Sequence, residues 1–112
     1  MQRDDAVLLD IAQAARSVIQ FKAGMNRAAF LQDIKTQSAV LHQLMVMGEA
    51  VKRLSPDYRN RYPAIPWALI AGMRDKLIHG YDIVDLNEVW KTADKDVPEL
   101  LRLIEPLLPE QP

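Results

Sequence analysis

Arg74, His79 and Tyr81 fall within one segment, Gly72-Met73-Arg74-Asp75-Lys76-Leu77-Ile78-His79-Gly80-Tyr81. A guanidinium is always charged and can fork onto a phosphate with two donors. Imidazole, with a reference pKa of about 6.5, gives and takes protons near neutrality. Those two side chains supply what phosphodiester cleavage needs without a metal ion: charge stabilisation, and a group that moves protons. Two simpler roles suit the same residues. A histidine before a glycine at a helix end can cap the helix and favour the negative end of its dipole. Arg74 can pair with Asp75 or with an acid elsewhere.

Other chemistries find less support. The chain has no Gly-rich phosphate loop, no His-Glu-x-x-His and no Gly-x-Ser-x-Gly. It has no cysteine, which removes disulfides and thiolate metal sites and suits a reducing compartment. His79, Asp82 and Asp85 could be drawn into a metal site, but one histidine with loose spacing is a poor ligand set, and no metal or other cofactor is expected. Trp67 and Trp90 lie on apolar stripes and read as core rather than as platforms for RNA bases. Met45, Met47 and Met73 read as core filler. His42 reads as an ordinary helix-surface or core-edge residue.

The elements that must position the motif are helices. Asp4 or Asp5 can cap a first helix, whose apolar stripe runs through Val7, Leu8, Ile11, Ala15, Val18 and Ile19 until Gly24 stops it. Asn26 can cap a short turn through Ala28, Phe30 and Leu31. A second long helix is predicted from about Asp33 to Leu54. Ser55-Pro56-Asp57 announces another start, with a serine cap, a first-turn proline and an acid, and Pro63 ends it. Pro66 opens the helix that carries Trp67, Ile70, Met73, Leu77 and Ile78, with Gly80 as its terminator. Asp85 and Glu88 resemble a capping box. From Leu86 to Leu108 the apolar residues keep helical phase, with Pro98 inside the run to kink or divide it. No strand pattern, repeat or linker is visible. The reading is a single all-α domain over residues 1–112, an antiparallel helical bundle.

On an ideal helix, positions five apart differ by about 140°, so Arg74 and His79 of one chain point to different sides unless the helix frays at Gly80. Cleavage by 2′-hydroxyl attack needs both a base and an acid, and the chain holds only two histidines. A two-fold dimer would bring two copies of His79 to one cleft.

The formal net charge of −1 gives no global attraction to nucleic acid. Its distribution is uneven. Residues 51–81 hold six basic and two acidic side chains, net +4, and residues 82–112 hold three basic and eight acidic, net −5. Arg59, Arg61 and Lys76 of the basic stretch are candidate RNA contacts, although the same charges could simply solvate separate helix faces. No apolar run approaches the roughly 18 residues of a membrane span. The opening Met1-Gln2-Arg3-Asp4-Asp5 is unlike a secretory leader, and a cytoplasmic location is expected.

The spacing Arg74-x4-His79-x-Tyr81 resembles the motif of HepT-like toxins in the HEPN superfamily. The likeness extends to Phe30-Leu31 with Asp33, to Met47-Gly48-Glu49-Ala50, to Ser55-Pro56, Pro63, Pro66-Trp67 and Val89-Trp90, and covers roughly residues 4 to 108. The resemblance implies a helical homodimer whose cleft is lined by the motif of both protomers, and a metal-independent endoribonuclease toxin. In it His79 moves protons, Arg74 stabilises charge on the phosphorane and Tyr81 helps to position substrate. Asp75 stands where the family often has asparagine. As a supporting residue it can orient Arg74, or it can repel phosphate. The resemblance also implies a partner, a small nucleotidyltransferase antitoxin that adenylylates Tyr81. Its alternative is a non-catalytic accessory subunit of such a nucleotidyltransferase.

Overall fold

The computed structural model describes residues 2–79 and 83–109. Helix α1 (Arg3–Lys22) lies along α3 (Ile34–Lys52), joined to it by the short α2 (Arg27–Leu31). Gly24, at φ +78°, makes the turn after α1 in a conformation that costs glycine little. Asn26 caps α2 by accepting from Ala29 N at 2.8 Å. Asp33 caps α3 by accepting from Thr36 N at 3.1 Å. The Asn26 cap falls where the sequence places it, and α3 begins beside the expected boundary at Asp33.

The first helix departs from expectation at its start. Neither Asp4 nor Asp5 caps it; the cap position is Gln2, which makes no side-chain cap bond. Asp4 reaches across the bundle instead, accepting from Ser55 N at 2.8 Å and from Ser55 Oγ at 2.7 Å. Ser55 Oγ in turn accepts from Tyr58 N at 3.1 Å and so caps α4 (Pro56–Arg61). One carboxylate therefore ties the first turn of the chain to the cap of its fourth helix.

Helix α5 (Trp67–Ala71) passes through Gly72 into α6 (Met73–Leu77), and both pack on α3. The contact is close because position 48 is glycine. A Cβ there would meet the Ile70 carbonyl oxygen at 3.0 Å and Met73 Cβ at 3.4 Å. Trp67, buried behind this contact, donates its Nε1–H to Tyr62 O at 3.1 Å.

The helix expected to continue to Gly80 stops at Leu77. Ile78–His79 leaves it as strand β1 and pairs antiparallel with β2 (Ile83–Val84), Ile78 opposite Val84 and His79 opposite Ile83. Ile78 is β-branched and favours the extended backbone. Two-residue strands are too short to show an alternating pattern, so this pair is invisible to periodicity.

The last apolar run is also divided. Helix α7 (Leu86–Lys91) leads into a π-helical turn (Thr92–Asp96), then α8 (Val97–Ile104) and a 3₁₀ turn (Glu105–Leu107). The expected break at Pro98 falls one step earlier: Pro98 occupies the first turn of α8, where its missing N–H is harmless, and the π turn absorbs the change of register. That turn sends Asp94 to Lys22 of α1 at 3.2 Å and Asp96 to Lys76 of α6 at 3.1 Å. The core is one cluster drawn from α1, α3 and α8 with Phe30, Trp67, Leu77 and Val89. The fold is an all-α bundle carrying one small antiparallel pair.

Candidate active site

Four features of the sequence place the motif. Gly48 lets α5 and α6 seat on α3. Met73 and Leu77 anchor α6 by burial, which turns Arg74, Asp75 and Lys76 outward. The β1–β2 pair carries the chain off the helix at His79. Asp85 N donates to Leu77 O at 2.8 Å, satisfying a carbonyl at the helix end.

Arg74 is exposed, and its side chain enters none of the ion pairs or side-chain hydrogen bonds made among the described residues. Asp75 is equally exposed and does not pair with it. The sequence alternative of an Arg74–Asp75 ion pair is therefore not adopted, and the guanidinium has no partner among the described residues.

His79 does not cap a helix. Its side chain is 60% exposed, and its Nε2 stands 3.5 Å from Asp85 Oδ2. The other Asp85 oxygen, Oδ1, accepts from Glu88 N at 3.1 Å and caps α7. The helical-wheel angle between Arg74 and His79 no longer applies, since His79 lies beyond the helix on extended backbone. The role of Asp85 beside the imidazole is missed when it is read only as a cap or a weak metal ligand. No sequence signal announces the pairing that brings position 85 near position 79: one β-branched residue before positions 80–82 and two after them are too few to make a strand pattern.

Tyr81 lies outside the described residues, as does Asp82 of the metal alternative. Among the described residues no group of three or more histidine and carboxylate side chains is placed to hold a metal ion. Of the candidate RNA contacts, Lys76 pairs with Asp96 at 3.1 Å and with Glu88 at 4.0 Å. It belongs to an exposed ion-pair cluster rather than standing as a free charge, and the acidic C-terminal part of the chain is what neutralises it. Arg59 and Arg61 stand apart from it on α4, Arg61 exposed and Arg59 half-buried with its Nε unpartnered among the described residues. His42 is exposed on α3. Trp67 is core, and Trp90 is half-buried, tilted against Phe30 with Lys22 over its ring. No helix of the described residues is long and apolar enough to cross a membrane.

An exposed guanidinium on α6 and, just past that helix, an exposed imidazole beside a carboxylate are the residue types that phosphodiester cleavage calls for. Comparison with known proteins points the same way. The family model described as "Ribonuclease HepT-like" matches residues 11–107. A Thermococcus cleftensis protein named "Probable ribonuclease HepT" is 44% identical over 93 residues, covering 83% of this chain and 84% of its own length. A Methanocaldococcus jannaschii protein named as a candidate RNase is 41% identical over 103 residues, 92% of this chain and 85% of its own. A Caldanaerobacter subterraneus protein, also named as a candidate RNase, is 36% identical over 101 residues, 90% of both chains. No solved structure matches significantly. With a family match that runs from α1 to the final 3₁₀ turn and takes in the whole Arg74–His79 segment, the chain belongs to the HepT-like ribonuclease family.

Proposed function

We propose that this protein is a metal-independent endoribonuclease toxin that acts as a two-fold dimer, with Arg74 and His79 as its catalytic residues. The observation that carries the reading is the exposed imidazole of His79, its Nε2 3.5 Å from Asp85 Oδ2, two residues past the helix on which Arg74 stands exposed with no side-chain partner among the described residues. In the proposed reaction the 2′-hydroxyl of one ribose loses its proton to a neutral His79 and attacks the adjacent phosphorus. The P–O5′ bond breaks, and the leaving oxygen takes a proton from the protonated His79 of the second protomer. The products are a 2′,3′-cyclic phosphate and a 5′-hydroxyl. Arg74 stabilises the charge that builds on the non-bridging oxygens.

The dimer is supported by apolar side chains that one protomer leaves in water beside the motif. Ile83, directly across the strand pair from His79, is 67% exposed. Ile34 is 77% exposed, on the α3 face that continues through Ser38 and Leu41. Gln37, Ser38, Leu41, Val84 and Leu86 line a shallow groove where α3 meets the strand pair and the start of α7. A second copy covering this surface would remove it from water and bring the two motifs together. Arg59, Arg61 and Lys76 form the RNA-facing charge, with Lys76 exchanging Asp96 for phosphate on binding.

In the same reading a small nucleotidyltransferase acts as antitoxin. It transfers AMP to the phenolic oxygen of Tyr81, with pyrophosphate leaving ATP. Tyr81 is two residues along the chain from His79, so the added phosphate and bulk would oppose RNA phosphate at the site.

The test is cleavage of a defined RNA in excess EDTA, beside the same RNA carrying 2′-deoxyribose throughout. The wild-type protein should cut the first and not the second, leaving cyclic phosphate ends, and His79→Ala and Arg74→Ala should be inactive. Cleavage of the deoxy strand, or full activity of His79→Ala, sinks the mechanism. An inert wild-type chain that still binds a nucleotidyltransferase tightly supports an accessory subunit instead. For the antitoxin, a fully adenylylated sample should be inactive, and one that cuts RNA at the unmodified rate removes Tyr81 from the scheme.

A further inference from the structure

We propose that Asp85 is a positioning residue for His79: it fixes the tautomer and ring orientation of the imidazole so that the unprotonated nitrogen facing RNA is Nδ1. The inference deepens the ribonuclease reading above and rests on it for its kinetic consequence, though not for its structural one.

Three constraints hold the carboxylate. Its backbone N–H donates to Leu77 O at 2.8 Å, fastening it to the end of the helix that carries Arg74. Its Oδ1 is engaged by Glu88 N at 3.1 Å, which fixes the rotamer. The β1–β2 register places the two preceding residues opposite Ile78 and His79. Oδ2 accepts no hydrogen bond among the described residues, and it lies 3.5 Å from His79 Nε2. That separation is an ion-pair distance and slightly long for a hydrogen bond, and such contacts tighten when substrate excludes water.

A carboxylate can only accept, so it selects the ring form that carries its hydrogen on Nε2. Nδ1 is then left with its lone pair, able to take the 2′-hydroxyl proton. A single side chain thereby does two jobs, one oxygen capping α7 and the other addressing the histidine.

That division of labour yields two variants with opposite consequences for the ring and similar consequences for the fold. Asn and Ser are both strong N-cap residues, so Asp85→Asn and Asp85→Ser should each keep the cap of α7. In Asp85→Asn the amide oxygen caps, and the NH₂ is turned toward His79 Nε2. A donor there selects the wrong tautomer, with hydrogen on Nδ1 and no lone pair for substrate. In Asp85→Ser nothing reaches the ring, and it samples both forms.

The experiment measures ¹⁵N chemical shifts of neutral His79 in the three proteins, with melting temperature and RNA cleavage alongside. Wild type should hold the Nε2–H form, Asp85→Ser a mixture, and Asp85→Asn mostly Nδ1–H, with melting temperatures within a few degrees. kcat should fall in the order wild type, Ser, Asn, by about ten- to a hundredfold at the Asn end, with KM changed by less than about twofold. A His79 tautomer ratio identical in all three proteins overturns the proposal. So does an Asn variant as fast as wild type in a protein that cleaves RNA. If the wild-type protein does not cut RNA, the ribonuclease reading fails by itself, and the tautomer series still decides whether Asp85 sets the ring.

Discussion

Gly48 of α3 faces the Ile70 carbonyl so closely that a Cβ at position 48 would stand 3.0 Å from its oxygen. The oxygen belongs to backbone, which cannot rotate away as a side-chain tip can. Alanine is ordinarily the better helix former, by about 1 kcal/mol. Here the added methyl must push α5 and α6 outward, and overpacking of this kind costs about 1–3 kcal/mol. Gly48→Ala is therefore expected to lower stability by about 1 kcal/mol in urea unfolding and to reduce RNA cleavage as well, since Arg74 rides on the displaced helix. A Gly48→Ala variant more stable than wild type, with undiminished cleavage, would show that the close approach does not set the position of the motif.

The helices that build the core were legible because their signals are local. Asn26, Asp33, Ser55 and Asp85 each cap the helix that follows, and each does so through a hydrogen bond spanning three residues. The long apolar stripes of α1 and α3 needed only their period. What escaped was set by partners distant in sequence or by very short elements. Asp4 looks like a cap from its neighbours, but its best donors are Ser55 N and Oγ, fifty-one positions away. Lys76 looks like a free charge until Asp96 folds back onto it. The strand pair that turns His79 away from the helix is two residues long and carries no period at all. The motif was thus readable as a set of residue types, while the approach of Asp85 to His79 was not.

The Asp4–Ser55 link should be visible in acid. Hydrogen bonds from the Ser55 backbone and side chain hold the Asp4 carboxyl below its ordinary range. A carboxylate with a depressed folded-state pKa contributes stability that is present above its unfolded value of about 3.9 and is lost as pH falls through the lower folded value. Asp4→Asn is expected to cost about 1 kcal/mol at neutral pH, a figure kept small because the group is partly exposed. The variant and wild type should converge as pH drops below about 4. Urea titrations at pH 7, 5 and 3 test this, and a constant difference across all three pH values would exclude the carboxylate as its source.

Tyr58 gives the alkaline counterpart. Burial first, then the neighbouring Tyr62, pushes its phenol from 10.0 up to about 12. The folded state thus keeps the proton after the unfolded chain has lost it. Stability from this group is complete below pH 10 and disappears as pH rises toward 12. Tyr58→Phe should flatten that loss while preserving the ring contacts to Tyr62 and Trp67 at 5.0 and 6.2 Å. Melting temperatures between pH 9 and 11 that fall equally steeply in both proteins would assign the alkaline limb to other groups.

The proposed RNA-facing charge should divide unequally. For a single strand, log affinity falls against log salt with a slope of about −0.7 per phosphate neutralised. Neutralising Arg59 and Arg61 together should reduce that slope by about 1.4. Lys76→Ala should change it less than either arginine, because removing Lys76 also frees Asp96 from an existing pair. Affinities of a catalytically dead His79→Ala background across a salt series measure this, and an unchanged slope in the double arginine variant removes α4 from the interface.

The shared cleft makes the strongest demand on the dimer. In a mixture of Arg74→Ala and His79→Ala chains refolded together, heterodimers keep one guanidinium and one imidazole, contributed by different protomers. If both line one cleft, the mixture should cut RNA faster than either parent. It should still fall far short of wild type, since a single His79 can serve as base or acid but not as both, and loss of either role costs about 10²–10⁴ in rate. Random pairing puts about half of the protein in heterodimers, which limits the gain further. The same two chains refolded separately and then mixed provide the control, with activity rising only as subunits exchange. If co-refolded mixtures stay at the level of the parents while size and circular dichroism confirm native dimers, each site is built within one protomer. His79 would then need its acid partner from its own chain, where the neighbouring carboxylate Asp85 is already engaged in holding the ring.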